Sequence, residues 1–155
     1  MEIEDWGLEI KDMKECDYYF AYGVHLDAGM MKRLCPEAEP AGVARLPDHA
    51  FIMTMAGIAG LVPRPGSEVW GRLWKITPAD LVALESRPGI PKLYAGQRLA
   101  VKRSDGSRQE QALVYVNQSR KTGQSTTGYI YTLVVAARQA GLPQAWIDRL
   151  ADLNP

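Results

Sequence analysis

The stretch Tyr18-Tyr19-Phe20-Ala21-Tyr22-Gly23-Val24-His25-Leu26 decides the fold of this chain. Its aromatic and small apolar residues predict a buried strand that ends at Gly23, and the apolar spacing from Leu26 onward predicts a helix. The N–H groups in the first turn of a helix have no partner within the helix and lie at the positive end of its dipole. The stretch therefore predicts either a turn that binds a carboxylate or phosphate, or a plain connection from strand to helix.

Turn and cap residues divide the following part of the chain into short elements. The helix from about Asp27 should end near Leu34, because Pro36 disfavours helical geometry in the residue before it. Strands are expected at four places, residues 42–46, 50–55, 57–62 and 68–76. Turns are expected between them, at residues 47–49 and 63–66.

Cap and turn residues also mark the ends of the elements in the second half of the chain. Thr77 is a good helix cap and Pro78 fits the first helical position, whereas Asp105-Gly106 is typical of a hairpin turn and Gly141 of a helix end. These signals delimit a helix that ends before residue 88, strands at 93–103 and 109–116, and helices at 127–139 and 143–153. Because strands dominate the middle of the chain and helices are inserted or terminal, an α+β fold is expected rather than a doubly wound parallel sheet.

Composition and charge exclude several classes of protein. The chain of 155 residues has the size of one domain, and its formal net charge is +0 with scattered lysines and arginines, so no basic stripe for nucleic acid is present. Cys16 and Cys35 stand outside any C-x-x-C or Cys/His cluster, which gives a zinc site no support. No apolar run approaches the roughly 20 residues that span a bilayer, and the N-terminus is acidic. We expect a cytoplasmic protein with free thiols and without a metal, cofactor, nucleic-acid or membrane partner, either monomeric or homodimeric.

The segment Phe20-Ala21-Tyr22-Gly23-x-x-Leu26 resembles the signature of the gamma-glutamyl cyclotransferase (AIG2-like) family, in which the x positions are usually Ser and Asn. Similar segments follow in the family's order: Gly42-Val43-Ala44-Arg45-Leu46, Gly57-Ile58-Ala59, Pro65-Gly66-Ser67-Glu68-Val69-Trp70-Gly71 and Gly141-Leu142-Pro143. The resemblance implies a small closed β-barrel of mixed strands with flanking helices and a ligand cavity at its mouth. Residues 18–155 would form this domain. Residues 1–17 would be an N-terminal extension, either a tail whose Trp6 docks on the body or a short strand that pairs with the barrel.

The same resemblance implies a reaction. In the family, the α-amino group of a gamma-glutamyl amide attacks its own γ-carbonyl and releases 5-oxoproline and an amine, with one glutamate as the base. Carried over without gaps from Val69-Trp70-Gly71, the glutamate position falls on Pro88, which cannot carry a proton. The usual Ser and Asn of the signature turn are Val24 and His25. The chain is thus expected to be a divergent member that lacks the usual catalytic glutamate.

Two residues are candidates for the missing base. Glu85 lies one helical turn before Pro88, and Leu84-Glu85-Ser86-Arg87-Pro88 resembles the Phe-Glu-Ser-x-Pro setting of the glutamate in gamma-glutamylamine cyclotransferases. A helix-surface or capping role for Glu85 is the alternative. An imidazole has an unperturbed pKa that suits proton transfer near neutrality, so His25 is the second candidate; alternatively it is a hydrogen-bonded or surface histidine. The expected substrate-binding residues are Tyr22, Gly23, Val24, His25, Leu26, Tyr94, Tyr115 and Tyr129.

Three functions follow as hypotheses. The first is an enzyme, in a specialised-metabolite pathway, that acts on a small amide- or carboxylate-bearing metabolite and moves a proton with a non-standard residue. The second is a true gamma-glutamyl or gamma-glutamylamine cyclotransferase that uses Glu85. The third is a catalytically silent protein that keeps the cavity and binds a small molecule.

Overall fold

The computed structural model describes residues 17–154. Its elements, in chain order, are β1 (Tyr18–Ala21), a 3₁₀ turn (Val24–Leu26), α1 (Ala28–Leu34), β2 (Glu39–Met53), β3 (Ala59–Lys75), α2 (Pro78–Glu85), β4 (Tyr94–Arg103), β5 (Gln109–Asn117), α3 (Thr127–Ala140) and α4 (Gln144–Ala151). Most of these elements lie within a few residues of their expected places. The exception is the region of β2 and β3.

The five strands close into a barrel in the order β1, β3, β2, β4, β5. β1 pairs antiparallel with β3 and parallel with β5, whereas the other neighbouring strands are antiparallel. The barrel is therefore mixed because of one short strand. The expected α+β fold, a small mixed barrel with flanking helices, is confirmed.

Alternate residues of β1 enter two hydrophobic clusters, which fixes the position of the turn that follows. Phe20 is fully buried in a cluster that includes Leu73 of β3 and Leu133 of α3. Tyr19 belongs to a second cluster that contains residues of α1, α2 and β5. Burial of one large apolar side chain contributes about 1.5–3 kcal/mol. A slip of β1 by one residue would turn each side chain toward the other cluster and lose this contribution at several residues.

Residues 39–75 form one long bent hairpin where four strands and two turns were expected. β2 and β3 pair along most of their length, with a register shift between Pro47 and His49. Asp48 has φ of 62° and Gly66 has φ of 84°, and the Oδ1 atom of Asp48 accepts a hydrogen bond from the Gly66 N–H at 3.0 Å. The turn-forming residues thus build the two sides of a bulge, which bends the strands without reversing the chain. The two expected turns are wrong.

The predicted start of α2 is confirmed in its hydrogen bonds. The side chain of Thr77 accepts from the Asp80 N–H at 3.2 Å, and the Asp80 carboxylate accepts from the Thr77 N–H at 2.9 Å, with Pro78 as the first helical residue. Such a reciprocal cap satisfies two backbone donors at the helix start. The cap fixes where α2 begins, and α2 in turn carries Glu85 as its last residue.

The predicted N-terminal extension lies outside the described residues, except for Asp17. The carbonyl oxygen of Asp17 accepts a hydrogen bond from the Ile76 N–H at 2.8 Å, which continues the pairing of β1 with β3 by one residue. The docking of Trp6 and the domain boundary at residue 17 stay predictions. Within residues 17–154, no helix combines the length and the apolar character needed to cross a membrane.

Candidate functional site

A cavity of about 280 Å³ lies where the end of β1, the starts of β3 and β4, and the end of β5 converge. Several elements and loops contribute its walls, and five of its lining residues are tyrosines. Its lining residues are Tyr19, Tyr22, Gly23, Val24, His25, Ile58, Ala59, Arg87, Pro88, Ile90, Tyr94, Tyr115 and Tyr129. Seven of the eight expected substrate-binding residues are brought together here. Leu26 is not among them, because its side chain is fully buried in the main core.

In the turn after β1, the carbonyl groups have hydrogen-bond partners, whereas three N–H groups have none among the described residues. The carbonyls of Gly23 and Val24 accept the N–H groups of Leu26 and Asp27 at 2.9 and 3.0 Å. The His25 carbonyl accepts from the indole N–H of Trp74 at 2.9 Å. No hydrogen bond from the N–H of Gly23, Val24 or His25 is found within residues 17–154.

Gly23 lies close to the start of β3. A Cβ atom at this position would lie 3.2 Å from the Cβ of Ala59 and 4.0 Å from the hydroxyl oxygen of Tyr129. The first of these distances is tighter than ordinary contact, so a side chain here would push the turn away from β3. The glycine of the signature therefore lets the turn and the β3 start share one wall of the cavity.

His25 is buried, and its ring is held by a neighbouring tyrosine. Its Nδ1 atom and the Tyr19 hydroxyl are 2.8 Å apart, and 8% of the residue is exposed. Burial, together with the positive charge of Arg87, lowers the pKa of His25 to about 4. The imidazole is therefore neutral at pH 7, a state that gives or accepts hydrogen bonds but holds a proton weakly.

Tyrosine hydroxyls form most of the polar lining. The Tyr22 hydroxyl donates to the Tyr115 carbonyl at 2.6 Å, and the Tyr94 hydroxyl donates to the Ala59 carbonyl at 2.7 Å. The Tyr129 hydroxyl instead accepts the Ala59 N–H at 2.9 Å, which leaves its own hydrogen available. Burial raises the pKa of Tyr94 to about 12 and raises the pKa of Tyr129, so both phenols are protonated at pH 7.

Glu85 does not itself line the cavity but is joined to it through Tyr115. The Tyr115 hydroxyl donates to the Oε2 atom of Glu85, and the Tyr115 ring lines the cavity. Burial raises the pKa of Glu85, although the Tyr115 hydrogen bond and the charge of Arg87 act in the opposite direction. Gly96 on β4 gives the carboxylate room, since a Cβ there would lie 3.3 Å from Oε2.

Arg87 and Pro88 line the cavity, although neither was expected among its substrate-binding residues. The Arg87 guanidinium lies over the Tyr115 ring, 4.8 Å from its centroid, and its Nε atom donates to the Leu84 carbonyl at 3.0 Å. Pro88 is the residue that stands at the family's glutamate position in the ungapped comparison. A signal for Arg87 was present, because it directly precedes that position in the sequence.

Among the described residues that line the cavity, one carries a permanent charge. Arg87 is the single lysine, arginine, aspartate or glutamate among the lining residues. Within residues 17–154, no group of three or more His, Cys, Asp or Glu side chains is arranged to hold a metal ion. The cavity can therefore hold a small molecule through hydrogen-bond donors and one cation.

Known proteins resemble this chain in sequence and in fold. Residues 68–150 match the model of a family described as the AIG2-like family. The chain is 26% identical to the gamma-glutamylcyclotransferase of Mus musculus over 148 residues, which are 88% of this chain and 78% of the mouse protein. It is 26% identical to the human gamma-glutamylcyclotransferase over 153 residues, which are 92% of this chain and 81% of the human protein. A solved structure named gamma-glutamyl cyclotransferase superposes with a TM-score of 0.82 at 26% identity, covering 89% of this chain and 88% of that one.

Proposed function

Because this chain belongs to the AIG2-like family, we propose that it is an enzyme acting on a small gamma-glutamyl-type amide, with Glu85 and Tyr115 moving the proton. The mouse and human relatives are named gamma-glutamylcyclotransferases, which supports this class of substrate. A role in a specialised-metabolite pathway in the cytoplasm is part of the proposal. The specialised-metabolite role is suggested by Val24, His25 and Pro88, which differ from the Ser, Asn and Glu usual in the family.

The hydrogen bond from Tyr115 to Glu85 carries the proposal. It connects a carboxylate of raised pKa to a hydroxyl on the cavity wall. A base works best when its pKa is near the operating pH, and burial moves Glu85 in that direction. His25 is less suited to this role, because burial and Arg87 lower its pKa to about 4.

In the proposed reaction, each proton passes between the substrate and Glu85 through the Tyr115 hydroxyl. The α-ammonium of the substrate gives a proton to the Tyr115 oxygen while Tyr115 gives its own proton to Glu85. The free amine then attacks the γ-carbonyl carbon, the ring C–N bond forms, and the amide C–N bond breaks. The proton on Glu85 passes through Tyr115 to the leaving nitrogen as the amide bond breaks. The ring nitrogen then gives up its second proton through Tyr115 and Glu85 to the released amine, so the products are 5-oxoproline and a protonated amine, and Glu85 is again a carboxylate.

Other donors around the cavity suit the γ-carbonyl oxygen. The Tyr129 hydroxyl is fixed by the Ala59 N–H and keeps its hydrogen, and the N–H groups of Gly23 and Val24 belong to the neighbouring turn. Donors held in place before the reaction stabilise negative charge that develops on oxygen in the transition state. The proposed roles are thus separate: Glu85 and Tyr115 move protons, and the turn and Tyr129 bind the carbonyl.

The test is incubation of the purified protein with a panel of gamma-glutamyl amides and amines, followed by mass spectrometry for 5-oxoproline and the released amine. Glu85→Gln should lower kcat/KM by about 10² or more, since a positioned base contributes about 10²–10⁴. Glu37→Gln is the matched control, because Glu37 is exposed before β2 and outside the cavity lining.

Two results would contradict the proposal. If Glu85→Gln keeps the wild-type rate, the proton is moved by another group. If the wild type forms no 5-oxoproline from any substrate of the panel but is stabilised by them, the chain is the silent binding protein. The exposed Pro88 at the usual glutamate position is the observation that favours that second function.

A further inference from the structure

The hydrogen-bonding groups around the cavity are unevenly used. Three acceptors in or beside its walls already have tyrosine partners: the carbonyls of Ala59 and Tyr115 and the Glu85 carboxylate each accept a tyrosine hydroxyl. Several donors remain available, namely the Tyr129 hydroxyl, the N–H groups of the turn and the guanidinium of Arg87. A cavity that offers donors binds a ligand that is rich in acceptors.

Arg87 is held in place, and no carboxylate of residues 17–154 forms an ion pair with it. Its Nε donates to the Leu84 carbonyl, and its guanidinium lies 4.8 Å from the centroid of the Tyr115 ring. None of the ion pairs formed within residues 17–154 includes it. A guanidinium has five N–H donors, so several remain after the bond to Leu84, even with the Tyr19 hydroxyl beside it.

We propose that Arg87 is a specificity-determining residue that binds a carboxylate of the ligand, so that the cavity selects small monocarboxylate or dicarboxylate metabolites. The planar fork of a guanidinium matches a carboxylate through two parallel hydrogen bonds. This inference rests on the proposed function, because it assigns the bound group as the α-carboxylate of the gamma-glutamyl moiety.

The position of Arg87 also explains how the reacting nitrogen would be oriented. Arg87 packs on the ring whose hydroxyl donates to Glu85. The α-carboxylate and the α-ammonium of a gamma-glutamyl group share one carbon atom. A carboxylate bound to Arg87 therefore brings the ammonium toward Tyr115, the first proton acceptor of the relay.

The experiment measures binding, not turnover, by isothermal titration calorimetry. The probes are two matched pairs, 5-oxoproline with 5-oxoprolinamide and glutarate with glutaramide, in which a carboxylate is exchanged for an amide of nearly the same shape. Wild-type protein should bind at least one acid more tightly than its amide by roughly ten- to hundred-fold, the range expected for a charge-assisted hydrogen-bonded pair. Arg87→Gln should bring that ratio to about one and leave the affinity for the amide unchanged.

Two further variants sharpen the result. Arg87→Lys should keep part of the preference, because the charge stays but the bidentate geometry is lost. Arg138→Gln on α3 is the matched control and should keep the full preference, since Arg138 is exposed and outside the cavity lining. Higher salt should weaken the preference of the wild type but not that of Arg87→Gln.

The inference is overturned if wild type does not prefer either acid, or if Arg87→Gln keeps the preference. Its failure is separable from that of the proposed function. Turnover that depends on Glu85, with an acid preference that does not depend on Arg87, removes only the inference. An Arg87-dependent acid preference without any turnover removes only the proposed reaction.

Discussion

Tyr115→Phe tests the link between the cavity wall and Glu85 without any knowledge of the substrate. Tyr115 is 3% exposed, and its ring packs 6.0 Å from the Tyr19 ring and 4.8 Å from the Arg87 guanidinium. Phenylalanine keeps these contacts, so the substitution removes only the hydroxyl that donates to Glu85. The resulting decrease in the free energy of unfolding therefore measures one hydrogen bond to a carboxylate.

The expected magnitude follows from the burial of the two partners. A hydrogen bond to a charged group contributes about 1.5–3 kcal/mol, and Glu85 is half-buried, so water replaces part of the loss. We expect a fall of about 1.5 kcal/mol in the free energy of unfolding at pH 8, or about 3–6 °C in Tm for a chain of this length. Urea unfolding followed by tryptophan fluorescence measures it.

The loss of folding stability in Tyr115→Phe should be larger at high pH than at low pH. Burial raises the pKa of Glu85 and the Tyr115 hydrogen bond holds that rise in check, so the pKa rises further in Tyr115→Phe. The folded variant then keeps its proton to higher pH than the unfolded chain does, and its stability falls as pH rises through that window. The destabilisation should be about half as large at pH 4.5 as at pH 8.

A double-mutant cycle with Glu85→Gln completes the test. The two substitutions remove the same bond, so the cycle should give a coupling energy of about 1 kcal/mol. Tyr131→Phe is the control, because Tyr131 is 69% exposed on α3, and it should change stability little at either pH. A coupling energy of zero, or an equal loss at pH 4.5 and pH 8, would refute the reasoning.

Two further predictions concern the core around the site. His25→Gln should make stability less sensitive to acid: the pKa of His25 is lowered to about 4 by burial, so wild type should lose about 3 kcal/mol as pH falls from 6.5 toward 4, and urea unfolding of both proteins across that range measures the difference. Equal slopes would show that His25 is not buried neutral. Gly71→Ala should destabilise by about 2 kcal/mol or more, because its Cβ would collide with the Ala21 carbonyl and lie 2.8 Å from the Phe20 ring, whereas Gly128→Ala meets nothing within 4 Å and serves as the control in the same assay. A stable Gly71→Ala protein would mean that β1 and β3 can move apart.

Local signals in the sequence predicted much of the fold. Thr77 and Pro78 marked the start of α2, Asp105-Gly106 marked the β4–β5 hairpin, and Gly141 ends α3 with φ of 83°. Each depends on a few neighbouring residues, so a single sequence contains the information needed. The barrel itself was predicted through the family resemblance, because no short-range sequence pattern indicates that β1 pairs with β5.

The errors arose where distant pairing decides the outcome. Asp48 and Gly66 have the left-handed backbone that their residue types suggested. Whether such residues reverse the chain or bend a strand depends on what lies across from them, and here each faces the other strand of one hairpin. Leu26 was expected at the ligand for its place in the signature, but its side chain points into the core.

Most residues of the turn and three tyrosines, which were expected to bind substrate, do line the cavity, whereas Arg87 lines it without having been expected. Residue type and resemblance indicated Tyr22, Tyr94 and Tyr129. Arg87 was missed because its role depends on the loop after α2 packing on the Tyr115 ring of β5, a contact between segments far apart in sequence. Glu85 was weighed as a surface residue or a base, and its hydrogen bond to Tyr115 supports a place beside the cavity.

During synthesis, β1 leaves the ribosome long before its parallel partner β5 exists. Until β5 follows, the growing sheet has two open edges, one on β1 and one on β4, and open edges are templates for pairing with other chains. Pairing between segments so distant along the chain also forms slowly. The nascent sheet thus keeps two open edges until β5 is made, and the strand that closes the barrel also brings Tyr115 to the cavity.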